Sequence, residues 1–425
     1  MNKRTLVMVS SVKPIPGTAG QQVRVRDMLR AVRDYFEVTF VTFSRRGEAS
    51  SVRQALEAFV HTPVVLPSRL DRPWPLRLAL KGIAQAYAGL TGLKRSNFTI
   101  GRLELTPARV RCACGDKRFD VALFEYWHAS RAVAAIRHDG CYCALDMHDL
   151  LWQSYDSQLR RRGVPERVRV WRVQRYRARE EKAWELFDGL IPISEGEGEY
   201  VRGRVVHPEV FVTPMGIDTK RVVHAWEPMP TPRLAFFGGF ASAINRACAL
   251  RCARYIMPRV WDRMPAAELW IVGADPPREV RELETDRRIR VTGFVSELAP
   301  VLTEARVLLC PWNGTYGFRT RIVEAMALGL PVVASPDAVH GMGLQDGRCI
   351  MVGRTDGELA DQAIKLLADA QLAVSMSRNA RAHVERCWSF EATYGALARF
   401  LVDRAGRGGR RAGADARTAG VSGCD

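Results

Sequence analysis

The residues best placed to do chemistry crowd into one stretch, Cys310 to Ser335, where Gly317, Phe318, Arg319, Arg321 and Glu324 follow one another closely. Two guanidinium groups at the start of a helix oppose the positive end of its dipole. Such a pair makes physical sense facing an anion. Gly317, Arg321 and Glu324 fall on roughly one helical face. A carboxylate beside an anion site calls for a hydroxyl partner, and a ribose supplies hydroxyls. The chemistry indicated is recognition of a phosphorylated, hydroxyl-rich ligand. The plain alternative is a surface helix whose Arg and Glu pair with each other. A second candidate is His148, which with Asp149 closes the run from Cys143. A strand ending in titratable groups presents them at its carboxyl edge. A hydrogen-bonded structural histidine is the plain reading of the same residues.

These side chains need a scaffold, and the hydrophobic pattern describes one. Val307 to Leu309 suits a buried strand, and a loop with Asn313, Gly314 and Gly317 follows. The pattern predicts a helix from Phe318 to Leu328, stopped by Gly329 and Pro331, and a strand at 332–334. The N-terminus repeats the plan. Leu6 to Ser10 reads as a strand, Gly17 and Gly20 lie in a Pro/Gly loop, a helix covers 22–33, and a strand covers 38–43. Those glycines let backbone approach a ligand, or make a plain turn. Arg24 is a weaker candidate from the same place. Further strands are expected at 119–125, 143–149, 234–237, 269–273, 289–295 and 349–352. Gly238 and Gly239 follow the third of these strands, 234–237, and Asn245 leads into a helix. The class is α/β, with two doubly wound parallel sheets. The Pro-rich run 224–232 predicts a linker, giving domains at 1–223 and 233–388. Helices are expected at 356–368, 371–386 and 390–401. The small, basic residues 405–425 read as a disordered tail.

The 425 residues leave room for two or three domains, and 47% are hydrophobic. No apolar run is long enough for a transmembrane helix. The apolar part of the N-terminus is too short for a signal peptide, so a cytoplasmic protein is expected. The ten cysteines are scattered. Cys112/Cys114 and Cys141/Cys143 lack a matching pair at zinc spacing, so reduced thiols and no metal are expected. A net charge of +17 points to phosphorylated ligands, an anionic membrane face or nucleic acid. Between Gln158 and Trp184 many arginines interleave with Trp171 and Tyr176. A solvated helical face explains them more simply than nucleic acid, which is not the expected partner. The segment 69–93 mixes apolar residues with Arg69, Arg72, Arg77 and Lys81. It suits either a membrane interface or a helix packed on its domain.

The run Gly317-Phe-Arg-Thr-Arg-Ile-Val-Glu-Ala-Met-Ala-Leu-Gly-Leu-Pro-Val-Val-Ala-Ser335 closely resembles the donor-binding segment of family-4 glycosyltransferases of GT-B fold. The resemblance implies two Rossmann-like domains facing a cleft, with a last helix, 389–404, crossing back to the first. It implies transfer of a sugar from a nucleotide-diphosphate sugar to a saccharide or lipid-linked acceptor, with retention and without metal or cofactor. Polysaccharide or glycolipid assembly is the usual setting, in the cytoplasm or on the inner membrane face. By the same resemblance Glu324 holds the ribose, Arg319 and Arg321 the diphosphate, and His148 approaches the donor sugar. Gly20, Gly239, Asn245, Phe294, Val295, Tyr316, Gly317 and Phe318 line the donor. This chain departs from the family at several places. Tyr316 stands where a Glu usually holds the sugar, Asn245 where many members have a cation, Arg321 where the nearest subgroup has Lys, and Met215 where an Asn is usual. Tyr316 keeps open a rival reading, an inactive sugar-nucleotide-binding or scaffold protein. A nucleic-acid-binding protein is the remoter rival.

Overall fold

The computed structural model describes residues 3–17, 19–314 and 317–405. The chain divides into two compact units. The first runs to Pro214 and takes back the chain from Tyr394, and the second is Met215–Thr393. Each unit is built on one parallel sheet wrapped by helices.

The first sheet has seven strands: β1 Arg4–Val9, β2 Phe36–Ser44, β3 Thr62–Pro67, β4 Val121–Glu125, β5 Tyr142–Asp146, β6 Gly189–Ile191 and β7 Glu209–Val210. Their spatial order is β3-β2-β1-β4-β5-β6-β7. The order reverses at β1, which pairs with β2 on one side and β4 on the other. Leu6, Val7, Met8 and Val9 are fully buried because helices cover both faces. The helix Gly20–Arg33 joins β1 to β2 and buries Val25, Met28, Leu29 and Val32.

The second sheet has six strands: β8 Arg233–Phe237, β9 Glu268–Val272, β10 Ile289–Gly293, β11 Val307–Cys310, β12 Val332–Ala334 and β13 Met351–Val352. Their order is β10-β9-β8-β11-β12-β13, with the switch at β8. In both sheets the reversal of strand order opens a crevice beyond the carboxyl ends of the strands, where α/β folds hold ligands. The α/β reading of the sequence therefore stands, with both sheets parallel throughout.

Some boundaries differ from the pattern. The division between units falls at Pro214/Met215, ahead of the Pro-rich run 224–232. Trp226 explains part of this. Its indole is buried in the second unit and donates to the Ala305 carbonyl at 2.7 Å, while the backbone N–H groups of Ala225 and Trp226 donate to the Leu328 carbonyl. A residue with that much apolar surface is not left in a solvated connection. The segment 389–404 is shared. Ser389 bridges Ile217 in the second unit, whereas the helix Ala396–Ala405 belongs to the first. There Phe400 stacks on Phe211 with ring centroids 4.4 Å apart, and Arg404 forks onto Glu209. The expected tail beyond Ala405 lies outside the described residues. Among the described residues no helix is long and apolar enough to cross a membrane.

Candidate active site

In the second unit, β11 delivers the chain into the loop that precedes the helix Thr320–Leu328. The helix buries Ile322, Val323 and Ala325 to Leu328 against the sheet, and ends at Gly329. It starts at Thr320 rather than Phe318, because Gly317 takes a positive φ of 74° and Arg319 is still non-helical at the N-cap. Arg321, in the first turn, reaches the end of β8. Its Nη2 donates to Asn245 Oδ1 at 2.6 Å, and Asn245 Nδ2 donates to the Gly239 carbonyl at 2.7 Å. Gly238 leaves room for this pair. A Cβ on it would stand 2.9 Å from Asn245 Nδ2 and 3.0 Å from Arg321 Nη2. The guanidinium also lies 5.3 Å from the Trp312 ring and 5.4 Å from the Phe236 ring. These contacts fix its plane, yet its Nη1 is buried with no hydrogen-bond partner among the described residues. A buried cationic donor held in place but unsatisfied is costly unless an anion meets it.

Arg319 is buried, donates from Nη2 to the Gly314 carbonyl at 3.0 Å and lies 4.2 Å from the Trp312 ring. Glu324 is half-buried one turn after Arg321. Burial pushes its carboxyl up to about 7, against the pull of the Arg321 cation. Among the described residues no ion pair joins Glu324 to Arg321. The alternative of a surface Arg–Glu pair therefore does not describe this helix, because Asn245 takes the guanidinium instead. Phe318, half-buried, packs edge-on against Trp388 with centroids 5.6 Å apart. Phe294 is 77% exposed just after β10, and Val295 beside it is half-buried. Tyr316 lies outside the described residues.

The first unit places His148 beyond the end of β5, in a cluster that the sequence did not reveal. His148 Nε2 lies 2.5 Å from Glu125 Oε2 and 3.4 Å from Asp146 Oδ2. Glu125 and Asp146 end the adjacent strands β4 and β5 in register. Asp146 is held by Arg24, whose Nε and Nη2 both donate to it, the latter at 2.6 Å, while Nη1 donates to the Thr213 carbonyl at 2.8 Å. All four side chains are buried. Arg24 thus turns inward and does not serve the Pro/Gly loop. Gly20 opens the following helix with open space around its Cα.

Burial dominates the electrostatics. It lowers His148 to about 4 and raises Glu125 well above the carboxylate range, with Asp146 adding to the latter. Burial works against ionisation of Asp146 too, but the Arg24 guanidinium, helped by His148, keeps it below its usual range. The cluster therefore carries one ion pair, Arg24 with Asp146, while burial favours the neutral forms of Glu125 and His148. The imidazole stacks on the Tyr126 ring at 4.1 Å, nearly parallel, and the Tyr126 hydroxyl donates to Gln21 Oε1 at 3.0 Å. Tyr126 and His148 both have positive φ, 62° and 60°. Side chains other than glycine adopt that backbone at a cost, and such strain gathers at ligand sites. Glu125, Asp146 and His148 present ligand atoms within 4.8 Å of one another, a spacing a metal could use. The fork from Arg24 already engages both Asp146 oxygens, so the donor set suits a hydrogen-bonded cluster better than a cation.

With both clusters located, the likenesses to known proteins gain meaning. Residues 231–369 match the family model described as glycosyl transferases group 1. That stretch lies within the second unit. A stretch of 141 residues is 34% identical to the phosphatidyl-myo-inositol mannosyltransferase of Mycolicibacterium smegmatis, covering 31% of this chain and 36% of that one. The match thus spans about a third of that relative's length. Over nearly the whole chain the structure resembles the sucrose-phosphate synthase of Thermosynechococcus elongatus, with 18% identity, 94% of this chain and 100% of that chain covered, and a TM-score of 0.64. It also resembles Anabaena HepE solved with UDP, with 14% identity, 94% and 100% coverage and a TM-score of 0.59. At such identities these likenesses show the fold, which is GT-B. The matched stretch contains Gly239, Asn245, Phe294, Val295, Gly317, Phe318, Arg319, Arg321 and Glu324. Of these, Gly239, Asn245 and Arg321 are joined by hydrogen bonds. Gly20 and His148 belong to the first unit. Glu125 was readable only as the last residue of the run 119–125, and Asp146 only as a residue inside the run 143–149.

Proposed function

We propose that the protein transfers a sugar from a nucleotide-diphosphate sugar to an acceptor hydroxyl. The carrying observation is the Arg321 guanidinium, fixed by Asn245 and two aromatic rings with Nη1 buried and unsatisfied among the described residues, at a helix N-terminus in the stretch that matches the group 1 model. That arrangement fits the diphosphate. In transfer, the bond from the anomeric carbon to the diphosphate oxygen breaks, and its electron pair stays on that oxygen. The acceptor oxygen bonds to the anomeric carbon and gives up its proton to the departing diphosphate oxygen. Arg321, Arg319 and the helix N-terminus stabilise the charge left on the diphosphate. Glu324 accepts hydrogen bonds from ribose hydroxyls. His148 contacts the reacting sugar as a neutral hydrogen-bond partner, since burial opposes its protonation.

Retention of configuration and independence of metal are part of the same proposal, with Arg319 and Arg321 taking the role a divalent ion has elsewhere. Gly20, Gly239, Phe294, Val295, Tyr316, Gly317 and Phe318 are proposed donor contacts. The relative named as a phosphatidyl-myo-inositol mannosyltransferase and the HepE structure with UDP support a nucleotide-sugar donor, and the former supports a lipid-linked acceptor in glycolipid or polysaccharide assembly.

The test is a thermal-shift screen of UDP, GDP, ADP and their sugars, followed by an assay for transfer or donor hydrolysis. One nucleotide should raise the unfolding temperature, and Glu324→Ala should lose the response. Stabilisation with no turnover on any acceptor would favour the binding-protein reading. No response to any nucleotide would remove the donor site.

A further inference from the structure

The helix Trp74–Thr91 has 18 residues, of which only Ala84 is buried. Leu80, Ala84, Tyr87, Ala88 and Thr91 mark the edge that meets the rest of the unit. Leu76, Ala79, Ile83, Ala86 and Leu90 recur at helical spacing and form a separate stripe in solvent. Leu76 is 57% exposed, Ile83 51% and Leu90 82%, and Trp74 and Leu78 are exposed on other faces. Gly92, with φ 75°, brings the chain so close to the helix Glu166–Trp184 that a Cβ would lie 3.2 Å from Arg175 Cβ and 3.4 Å from the Trp171 ring. Trp171, Val168 and Val170 are exposed there in turn. Solvated apolar surface on this scale marks a docking face.

Charge selects the occupant. From Arg72 to Leu103 the chain has no acidic residue, while Arg72, Arg77, Lys81, Arg95 and Arg102 are all exposed. Next along, Glu104 is buried and paired with Arg109. A second copy of this chain would set the same basic face against itself, which opposes self-association. An anionic bilayer offers both an apolar interior for the stripe and negative headgroups for its flanks. We propose that the Trp74–Thr91 helix lies in the plane of an anionic membrane surface, with Leu76, Ile83 and Leu90 inserted below the headgroups and Arg77 and Lys81 among them. This assigns a membrane-docking surface to the first unit and does not rest on the transferase reading.

The full chain would be sedimented with phosphatidylcholine vesicles and with vesicles containing phosphatidylglycerol. The expected result is salt-sensitive binding to the anionic vesicles. The triple variant Leu76→Glu/Ile83→Glu/Leu90→Glu should weaken it at least about tenfold, with the unfolding temperature and the nucleotide response unchanged. Arg77→Gln/Lys81→Gln should reduce the preference for anionic lipid. Should the triple variant misfold, hydrogen exchange of the wild-type chain decides, since residues 74–91 should gain protection when anionic vesicles are added. No binding of wild-type protein, no added protection, or equal binding by a folded triple variant overturns the assignment. So does a lipid-free dimer that the triple variant makes monomeric, because the stripe would then belong to a second copy.

Discussion

The two units hold their charged groups in opposite ways. In the first, Arg24, Asp146, Glu125 and His148 are buried together, and the guanidinium is answered by a carboxylate and a carbonyl. In the second, Arg321 is answered by a neutral amide, and one edge of it has no partner among the described residues. Both sit at the carboxyl ends of strands beside a switch in strand order, so position alone does not separate them. Satisfaction does. A self-contained cluster sets the shape and polarity of a wall, whereas a cation held in place with a donor to spare is built to meet an anion. His148 belongs to the first kind: it is positioned by Glu125 and Tyr126 and kept neutral by burial.

The contrast can be broken by mutation, and Arg24→Ala should have the largest effect. It leaves Asp146 as an uncompensated buried charge, and unfolding free energy should drop by about 3–5 kcal/mol. Chemical denaturation measures this; a loss below about 1 kcal/mol would mean that the pair is solvated or dispensable. Arg321→Gln should do the reverse. Stability should hardly move, while affinity for the nucleotide diphosphate falls on the order of 10–100-fold, as expected for a charge-assisted bond of about 1.5–3 kcal/mol. Calorimetric titration would show it, and an unchanged affinity would remove Arg321 from the donor site.

Glu324 sharpens the comparison through pH. Its folded value of about 7 lies above the ordinary carboxylate value, so the folded state holds the proton longer than the unfolded chain. The stability this gives is complete below the unfolded value and is lost as pH rises through about 7. Glu324→Gln should abolish that slope, a gain on the order of 1–2 kcal/mol at pH 8 after allowing for partial exposure. Ribose hydroxyls favour the carboxylate, so nucleotide binding near pH 6.5 should release a proton, seen as a buffer-dependent heat. Equal heats in two buffers of different ionisation enthalpy would count against the ribose role. The smallest effect concerns backbone strain. With φ at 60°, His148→Gly should be more stable than His148→Ala by about 1 kcal/mol. Parity between them would mean that the loop relaxes freely.

Much of the fold and part of the site could be read from the chain directly. Strand, glycine loop, helix and strand between Val307 and Ala334 follow from local apolar periodicity and from helix stops, which depend only on neighbours in sequence. The chemical types of Arg319, Arg321 and Glu324, and their shared helix, were legible for the same reason. Tertiary structure alone decided which groups meet. Arg24 and Asp146 are 122 positions apart, and Asn245 and Arg321 are 76 apart. No local pattern states that two strand-end carboxylates will lie side by side, because that depends on strand order. The inward turn of Arg24, the left-handed backbone at His148 and the exposure of the Trp74–Thr91 helix belong with them. Periodicity predicts that a helix forms, but the surface it finds to pack against decides which of its faces leaves water.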